Sequence, residues 1–154
     1  MSKRLAIVEI TAEQTREVRR AVLRPHQDAS ELVYPGDDDR ESFHLGVVMK
    51  EEDGETIVAI LSMYHAAREG EASGWRIRGM ASVAKVRSMG YGRELVEMAR
   101  ERAWGIDRAE IWCNARESAF GFYEKLGFVV VGDLFEIEGI GTHAVMVLEE
   151  GTGD

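Results

Sequence analysis

The sequence predicts an α+β fold in which helices flank a mixed, mostly antiparallel and twisted sheet of about seven strands. One observation is the order of the segments, which reads strand, helix, three strands, helix, strand, helix and two strands. Another is the pair Asp53-Gly54 between two strand-like segments, which is typical of a hairpin turn and therefore of antiparallel pairing. Hydrophobic residues make up 45% of the 154 residues, enough for the core of a single domain over residues 1–154.

The first strand and the first helix are predicted from residues 5–23. An apolar run over residues 5–10 indicates a buried strand. Thr11 and Gln14 match the capping box that begins many helices, so we expect a helix over residues 12–23. On this helix Thr15, Val18 and Val22 share one face, and the solvated side is expected to carry Arg16, Glu17, Arg19 and Arg20.

Residues 24–43 are predicted to form a long loop with one helical turn. The segment contains Pro25, the pair Pro35-Gly36 and the acidic run Asp37-Asp38-Asp39, and its apolar periodicity is weak. Loops of this length are uncommon in compact domains and tend to serve binding sites. We therefore regard this loop as a candidate binding element.

The remaining elements follow from changes in hydrophobic period along the chain. Residues 44–50, 56–65 and 75–82 are rich in β-forming residues and predict a meander of three strands. After them we expect a helix over residues 93–104 that stops at Gly105, a strand over 108–114, a helix over 118–126 that stops at Gly127, and strands over 128–136 and 143–148. The folded core should thus extend over residues 5–148.

Composition and charge exclude several functions. The formal net charge of -9 makes nucleic acid and anionic membranes unfavourable partners. A single cysteine, Cys113, permits no disulfide within the chain and no cysteine-based metal cluster, so no metal is expected. No apolar run approaches the roughly 20 residues that cross a bilayer, and the N-terminus does not resemble a signal peptide. We expect a soluble, cytoplasmic protein.

A glycine-rich turn precedes the second predicted helix and is the most informative stretch of the chain. It reads Arg87-Ser88-Met89-Gly90-Tyr91-Gly92-Arg93. Glycines allow close approach of a ligand, and the first amides of the following helix carry partial positive charge, so the turn suits a pyrophosphate. A turn of this kind can also be only a tight connection. It lacks the endings of a nucleotide P-loop and of a dinucleotide fold.

Two linked motifs identify a family. Arg87-x-x-Gly90-x-Gly92 resembles the Arg/Gln-x-x-Gly-x-Gly/Ala motif of the GNAT superfamily of N-acetyltransferases. Downstream, Ile111-Trp112-Cys113-Asn114 ends a predicted strand, and Ala119-Phe120-Gly121-Phe122-Tyr123-Glu124-Lys125-Leu126-Gly127-Phe128 is similar to a second segment of that family. The resemblance covers nearly the whole chain except residues 24–43.

The resemblance implies that acetyl-CoA (coenzyme A) donates an acetyl group to a primary amine by direct attack. Tyr123 would protonate the departing thiolate, with a backbone N–H near Met80 stabilising the oxyanion. The implied cofactor-binding residues are Met80, Ala81, Ser82, Arg87, Ser88, Met89, Gly90, Tyr91, Gly92, Arg93, Asn114 and Phe122. Considered alone, Tyr123 fits a core aromatic residue, Asn114 fits a helix cap, and Cys113 fits a small buried residue.

The general base and the acceptor amine stay unassigned by the sequence. Many relatives carry a carboxylate on the fourth strand, where this chain has Arg76 and Arg78. Candidate bases are His143, Glu136 and the acids of the long loop. Glu31 and the acidic run could attract a cationic amine, whereas Arg76 and Arg78 could recognise a carboxylate or a phosphate.

Three hypotheses follow. The first is an N-acetyltransferase acting on a small molecule or a peptide. The second is a non-catalytic module that binds acyl-CoA and regulates a partner, which the missing acid on the fourth strand keeps open. The third is a structural or dimerisation domain in which the glycine turn only connects two elements. The resemblance is also consistent with a homodimer.

Overall fold

The computed structural model describes residues 4–149 and contains one seven-stranded mixed sheet. The strands are β1 (Arg4–Ile10), β2 (Phe43–Glu51), β3 (Gly54–His65), β4 (Trp75–Ser82), β5 (Ile111–Arg116), β6 (Val129–Ile137) and β7 (Gly141–Leu148). Their order in the sheet is β1-β2-β3-β4-β5-β7-β6. β4 and β5 pair in parallel, whereas β1 with β2, β2 with β3, β5 with β7 and β6 with β7 are antiparallel. The predicted fold class is confirmed.

The three predicted helices are present in the predicted order, the first of them continuing as a π-helical turn, and the structure adds short 3-10 turns, of which the sequence predicted only the one in the long loop. The helical segments are α1 (Ala12–Val18), a π-helical turn (Arg19–Leu23), three 3-10 turns (Ala29–Glu31, Ala84–Val86 and Glu117–Ala119), α2 (Tyr91–Ile106) and α3 (Phe120–Lys125). The predicted capping box at Thr11 is confirmed, because its hydroxyl accepts from the Gln14 amide while the Gln14 side chain accepts from the Thr11 amide. The single helical turn predicted in the long loop is confirmed at Ala29–Glu31.

The predicted end of α2 and both predicted ends of β5 are wrong. Gly105 does not stop α2, because the Asp107 amide donates to the Ala103 carbonyl at 2.9 Å and carries the last turn past the glycine. The fifth strand begins at Ile111 and not at residue 108, because the preceding carbonyls have other donors. The Trp75 amide donates to the Glu110 carbonyl at 2.8 Å, and the Trp104 indole donates to the Ala109 carbonyl at 2.8 Å. β5 also continues to Arg116, which pairs with His143, so Asn114 lies inside the strand and not at its end.

Residue contacts divide the chain into two compact units, which we describe separately. The first unit comprises Met1–Tyr64 and Arg78–Glu101, and the second comprises His65–Ile77 and Arg102–Asp154. A buried cluster in the first unit joins Ile10, Val18, Ile60 and Ala81. In the second unit Trp75, Ile111, Met146 and Leu148 are almost completely buried. The prediction of a single domain over residues 1–154 stays a prediction.

Arg19 is buried, and its predicted place on the solvated side of the first helix is wrong. Its exposed fraction is 0%. Arg19 follows Thr15 by four residues, so helical periodicity places both on the inward face. Burial of the guanidinium is compensated by Asp37, whose carboxylate accepts from both terminal nitrogens at 2.8 and 3.0 Å. The acidic run therefore contains one member that is a core residue and not solvated surface.

A buried polar network ties the long loop to β2 and β3. Arg19 also donates to Ser62 Oγ at 3.0 Å, and the Tyr64 hydroxyl donates to the Asp37 carboxylate. His44 Nε2 lies 3.0 Å from the Asp37 carbonyl oxygen, which can only accept, so this nitrogen carries the hydrogen. In the neutral ring, Nδ1 then accepts from Ser62 Oγ at 2.7 Å. Each of these side chains thus has at least one partner inside the first unit, although the buried Arg19 Nε has no hydrogen-bond acceptor among the described residues.

Gly79 sits at a close approach between β4 and the long loop. It has a φ of 66°, and a Cβ added there would lie 3.1 Å from Tyr34 Cε2. We expect Gly79→Ala to lower the free energy of unfolding by about 2 kcal/mol, because it adds a steric contact to the left-handed backbone penalty. The matched control is Gly70→Ala, with a φ of 87° and no atom within 4 Å, which should cost about 1 kcal/mol. Equal losses in urea denaturation would contradict the packing role.

Candidate active site

The glycine-rich turn connects the 3-10 turn Ala84–Val86 to α2 in the first unit. Ser88 and Gly90 both have positive φ, of 68° and 89°, and Ser88 is the only such non-glycine residue in the described part of the chain. A Cβ added to Gly90 would meet no atom within 4 Å, so the space before the turn is open. Since α2 begins at Tyr91, its first backbone amides have no partner within the helix. The turn therefore has the properties of an anion cradle.

The two arginines that flank the turn differ in their contacts. Arg87 donates from Nε to the Ser82 carbonyl at 3.0 Å, which orients an exposed guanidinium beside the turn. Arg93 instead pairs with Glu97 on α2 at 2.7 Å. Because Glu97 offsets the charge of Arg93, Arg87 is the better placed cation for a phosphate group.

The end of β4 is joined to this turn by Val83 and the 3-10 turn Ala84–Val86. Ala81 is 6% exposed and packs into the buried cluster of the first unit, while Met80 and Ser82 are half-buried. The next amide, of Val83, donates to the Val58 carbonyl at 2.9 Å and holds the strand end against β3. The predicted ligand-contacting segment is thus firmly anchored on its inner face.

Tyr123 lies on α3 in the second unit and is 6% exposed. Its ring makes edge contacts with Phe122 and Phe128, with centroids 5.0 and 5.2 Å apart. Burial, together with a hydrogen bond from its hydroxyl to the Cys113 sulfur, raises the pKa of Tyr123 well above its usual value. The phenol is therefore protonated at neutral pH, as a proton donor must be, although its ring packs as a core aromatic residue.

Cys113 and Asn114 lie on opposite faces of β5. The predicted burial of Cys113 is confirmed, with 2% of its surface exposed, and burial raises the pKa of its thiol to about 12. Asn114 is exposed, and its side chain has no hydrogen-bond partner within residues 4–149. The alternative that Asn114 caps the next helix is wrong, since Arg116 and Ala119 precede the helical turns that follow. Its amide is therefore free to bind a ligand.

The four candidate substrate residues occupy different surroundings. In the first unit, Arg78 lies over the Tyr34 ring at 4.2 Å, whereas Glu31 is exposed and accepts from the Asp28 amide at 2.9 Å. In the second unit, Arg76 lies over the Trp112 ring at 5.0 Å. His143 is 4% exposed and stacks on Phe135 at 5.8 Å.

The candidate bases can be ranked by their partners. His143 Nδ1 lies 2.8 Å from the Gly141 carbonyl and must donate to it, so the neutral ring keeps a lone pair on Nε2. Glu136 is exposed and accepts from Thr142 at 3.1 Å. Asp37 is a poor base, because the buried guanidinium of Arg19 and the other donors lower its pKa to about 2 despite burial of the carboxyl. His143 is the best candidate of the three.

Sequence reasoning missed two residues of the first unit, Tyr34 and Tyr64. Both contact the Arg19–Asp37 pair: Tyr34 through its ring and backbone amide, and Tyr64 through its hydroxyl. The available signal was the position of Arg19 on the apolar helix face, since a buried arginine requires an acid and further acceptors.

The comparisons with known proteins agree on the family. A family model described as an acetyltransferase (GNAT) domain matches residues 40–149. The chain is 38% identical over 144 residues to YitI of Bacillus subtilis (strain 168), an uncharacterized N-acetyltransferase, covering 92% of this chain and 94% of the relative. The chain therefore belongs to the GNAT family of acetyltransferases.

Solved structures show the same fold at lower identity. One is Arabidopsis thaliana NAA60 in complex with acetyl-CoA, with a TM-score of 0.73, 13% identity and coverage of 94% of this chain and 98% of that one. Another is the NatC complex bound to Gag peptide and CoA, with a TM-score of 0.76, 18% identity and coverage of 97% and 99%. Within residues 4–149, no helix is long and apolar enough to span a membrane.

Proposed function

We propose that this chain transfers the acetyl group of acetyl-CoA to a primary amine of a small molecule or a peptide. The open anion cradle at the start of α2, shortly after β4, carries the proposal. Family membership supports it, as do the acetyl-CoA and CoA bound in NAA60 and NatC. We further expect a cytoplasmic protein that forms a homodimer.

The residues of the first unit fit the cofactor. The backbone from Arg87 to Arg93 would hold the pyrophosphate through amides of the turn and of α2, with the Arg87 guanidinium adding charge. Met80, Ala81 and Ser82 would contact the pantetheine arm through their backbone. In the second unit we assign Asn114 and Phe122 to cofactor binding, because Asn114 presents an unpaired amide and Phe122 is half-buried beside Tyr123.

Acetyl-CoA supplies an activated thioester carbon when bound. A backbone N–H near Met80 would stabilise negative charge on the carbonyl oxygen as the carbon–nitrogen bond forms. Tyr123 would give its phenolic proton to sulfur as the carbon–sulfur bond breaks. The amine must lose a proton, and we assign its removal to His143, directly or through water, because Nε2 has a free lone pair in the neutral ring.

Gly90→Glu tests the cofactor site. It places a carboxylate on the open side of the turn, so we expect acetyl-CoA to bind at least about tenfold more weakly because of charge repulsion at short range. Calorimetric titration of the wild type and the variant measures this effect. Gly139→Glu is the matched control, since Gly139 also has positive φ, of 79°, and open space around an added Cβ.

The outcomes separate the hypotheses. Saturable binding to the wild type and the control, with loss in Gly90→Glu, supports the cofactor site. Absence of heat with wild-type protein contradicts the proposal and leaves a structural domain. Acetylation of amines, peptides and aminoglycosides is measured by mass spectrometry as the gain of one acetyl group. If acetyl-CoA binds and none of these acceptors is acetylated, the non-catalytic acyl-CoA-binding module is favoured.

A further inference from the structure

Arg78 is a half-buried cation on β4 that has no hydrogen-bond acceptor within residues 4–149. The contact that the structure shows for its guanidinium is with the ring of Tyr34, at 4.2 Å from the centroid. A ring face attracts a cation but accepts none of the directed hydrogen bonds that a guanidinium can donate. Arg78 therefore retains its capacity to bind an anion.

The same ring carries a second arginine whose charge is already satisfied. The Arg19 guanidinium lies 3.9 Å from the Tyr34 centroid and is bidentate with the Asp37 carboxylate. The Asp37 carboxylate already accepts hydrogen bonds from Arg19, from the Tyr64 hydroxyl and, at 2.9 Å, from the Tyr34 amide. Of the two cations on Tyr34, the one on β4 thus has no counter-ion among the residues that the structure describes.

Tyr34 is held rigidly beneath Arg78. The Tyr34 amide donates to the Asp37 carboxylate, and the Tyr34 ring packs closely on β4, where a Cβ added at position 79 would lie 3.1 Å from Cε2. A guanidinium resting on a fixed aromatic ring loses little freedom when it binds, which favours recognition of a planar or multidentate anion.

We propose that Arg78 binds an anionic group, a carboxylate or a phosphate, carried by the acceptor amine. The inference rests on the proposed function, in which the acetyl group lies at the backbone of Met80. Arg78 precedes Met80 by two residues, and the positive φ of Gly79 between them bends the strand, so the two lie closer together than the roughly 7 Å that an extended strand would give. The acceptor class is therefore an amine with an anion a few bonds away, as in an amino acid or an aminoalkyl phosphate.

The test compares paired acceptors under one assay. Amino acids, the amines that lack their carboxylates, and the corresponding aminoalkyl phosphates are offered with acetyl-CoA, and kcat and KM are measured. We expect one anionic class to exceed its anion-free counterpart at least about tenfold in kcat/KM, and the better of the carboxylates and phosphates identifies the anion.

Variants of Arg78 test whether this side chain causes the preference for anionic amines. Arg78→Gln should reduce kcat/KM for the anionic amine about 10- to 100-fold by raising KM. For the anion-free amine, kcat/KM should stay within about twofold of the wild-type value. Arg78→Lys should restore part of the loss because it keeps the charge. The control Arg20→Gln alters a half-buried arginine paired with Glu17 and should behave as wild type.

Failure of this inference is distinct from failure of the proposed function. If anion-free amines are acetylated as well as anionic ones, or if Arg78→Gln slows both classes equally, Arg78 has only a structural role and the inference is overturned. If acetyl-CoA binds and no anionic amine is acetylated, the inference is also overturned. Absence of acetyl-CoA binding by the wild type would overturn the proposed function itself.

Discussion

Replacing Arg19 by methionine is expected to lower the free energy of unfolding by about 3 to 5 kcal/mol. The substitution leaves the Asp37 carboxylate buried, with the Tyr64 hydroxyl and the Tyr34 amide as its remaining donors. A buried carboxylate without a counter-ion costs far more than the loss of an exposed ion pair. Urea denaturation followed by circular dichroism measures the change.

Two variants make this test specific. Arg20→Met removes the neighbouring arginine, which is half-buried and pairs with the exposed Glu17 at 3.2 Å, and should cost less than about 1 kcal/mol. Arg19→Met combined with Asp37→Leu removes both charges and should recover much of the loss. A loss in Arg19→Met no larger than in Arg20→Met would show that the buried pair contributes little to stability.

The buried ion pair of Arg19 and Asp37 also makes the free energy of unfolding depend on pH. The pKa of Asp37 is lowered from 3.8 to about 2 in the folded chain, so its contribution is fully present above pH 3.8 and disappears as pH falls to about 2. The shift corresponds to about 2 kcal/mol. In Arg19→Met the folded-state pKa of Asp37 should rise, because burial is no longer offset by the guanidinium, so we expect the loss of stability that this group contributes between pH 3.8 and about 2 to shrink or disappear.

Replacing Tyr123 by phenylalanine is expected to reduce kcat about 100- to 1,000-fold, with little change in acetyl-CoA affinity. The ring and its contacts with Phe122 and Phe128 stay in place, so the variant should fold. What is lost is the proton for the departing thiolate. Because the pKa of Tyr123 is raised well above 10.0, wild-type kcat should show no alkaline fall from this group below that pH.

Cys113→Ala tests whether the Tyr123 hydroxyl acts in catalysis or only in packing. This variant removes the sulfur to which the Tyr123 hydroxyl donates and keeps the phenol. It should lower stability by about 1 to 2 kcal/mol and retain kcat within about tenfold. If Tyr123→Phe keeps wild-type kcat and only loses stability, Tyr123 is a core residue and another group protonates the thiolate.

Local signals were sufficient for most of the fold. The capping box at Thr11 and the hairpin glycine at Gly54 act within a few residues, and the hydrophobic periods of the strands and of α2 are properties of short segments. The error at Gly105 arose because α2 adds one more backbone hydrogen bond of its own beyond the glycine, whereas at the start of β5 the donor to the preceding carbonyl is the Trp75 amide, which is distant in the chain. A hydrogen bond from so distant a donor has no local sequence signature.

The sequence by itself determined the sheet and helix order, the glycine turn before α2 and the family to which the chain belongs, because each depends on residues close together in the chain. The tertiary structure alone decided that Arg19 and Asp37 form a buried pair, and that Tyr34 supports Arg78. Arg19 and Asp37 are 18 residues apart, and 44 residues separate Tyr34 from Arg78. Whether a charge is buried, paired or available to a ligand depends on which distant groups the fold brings to it.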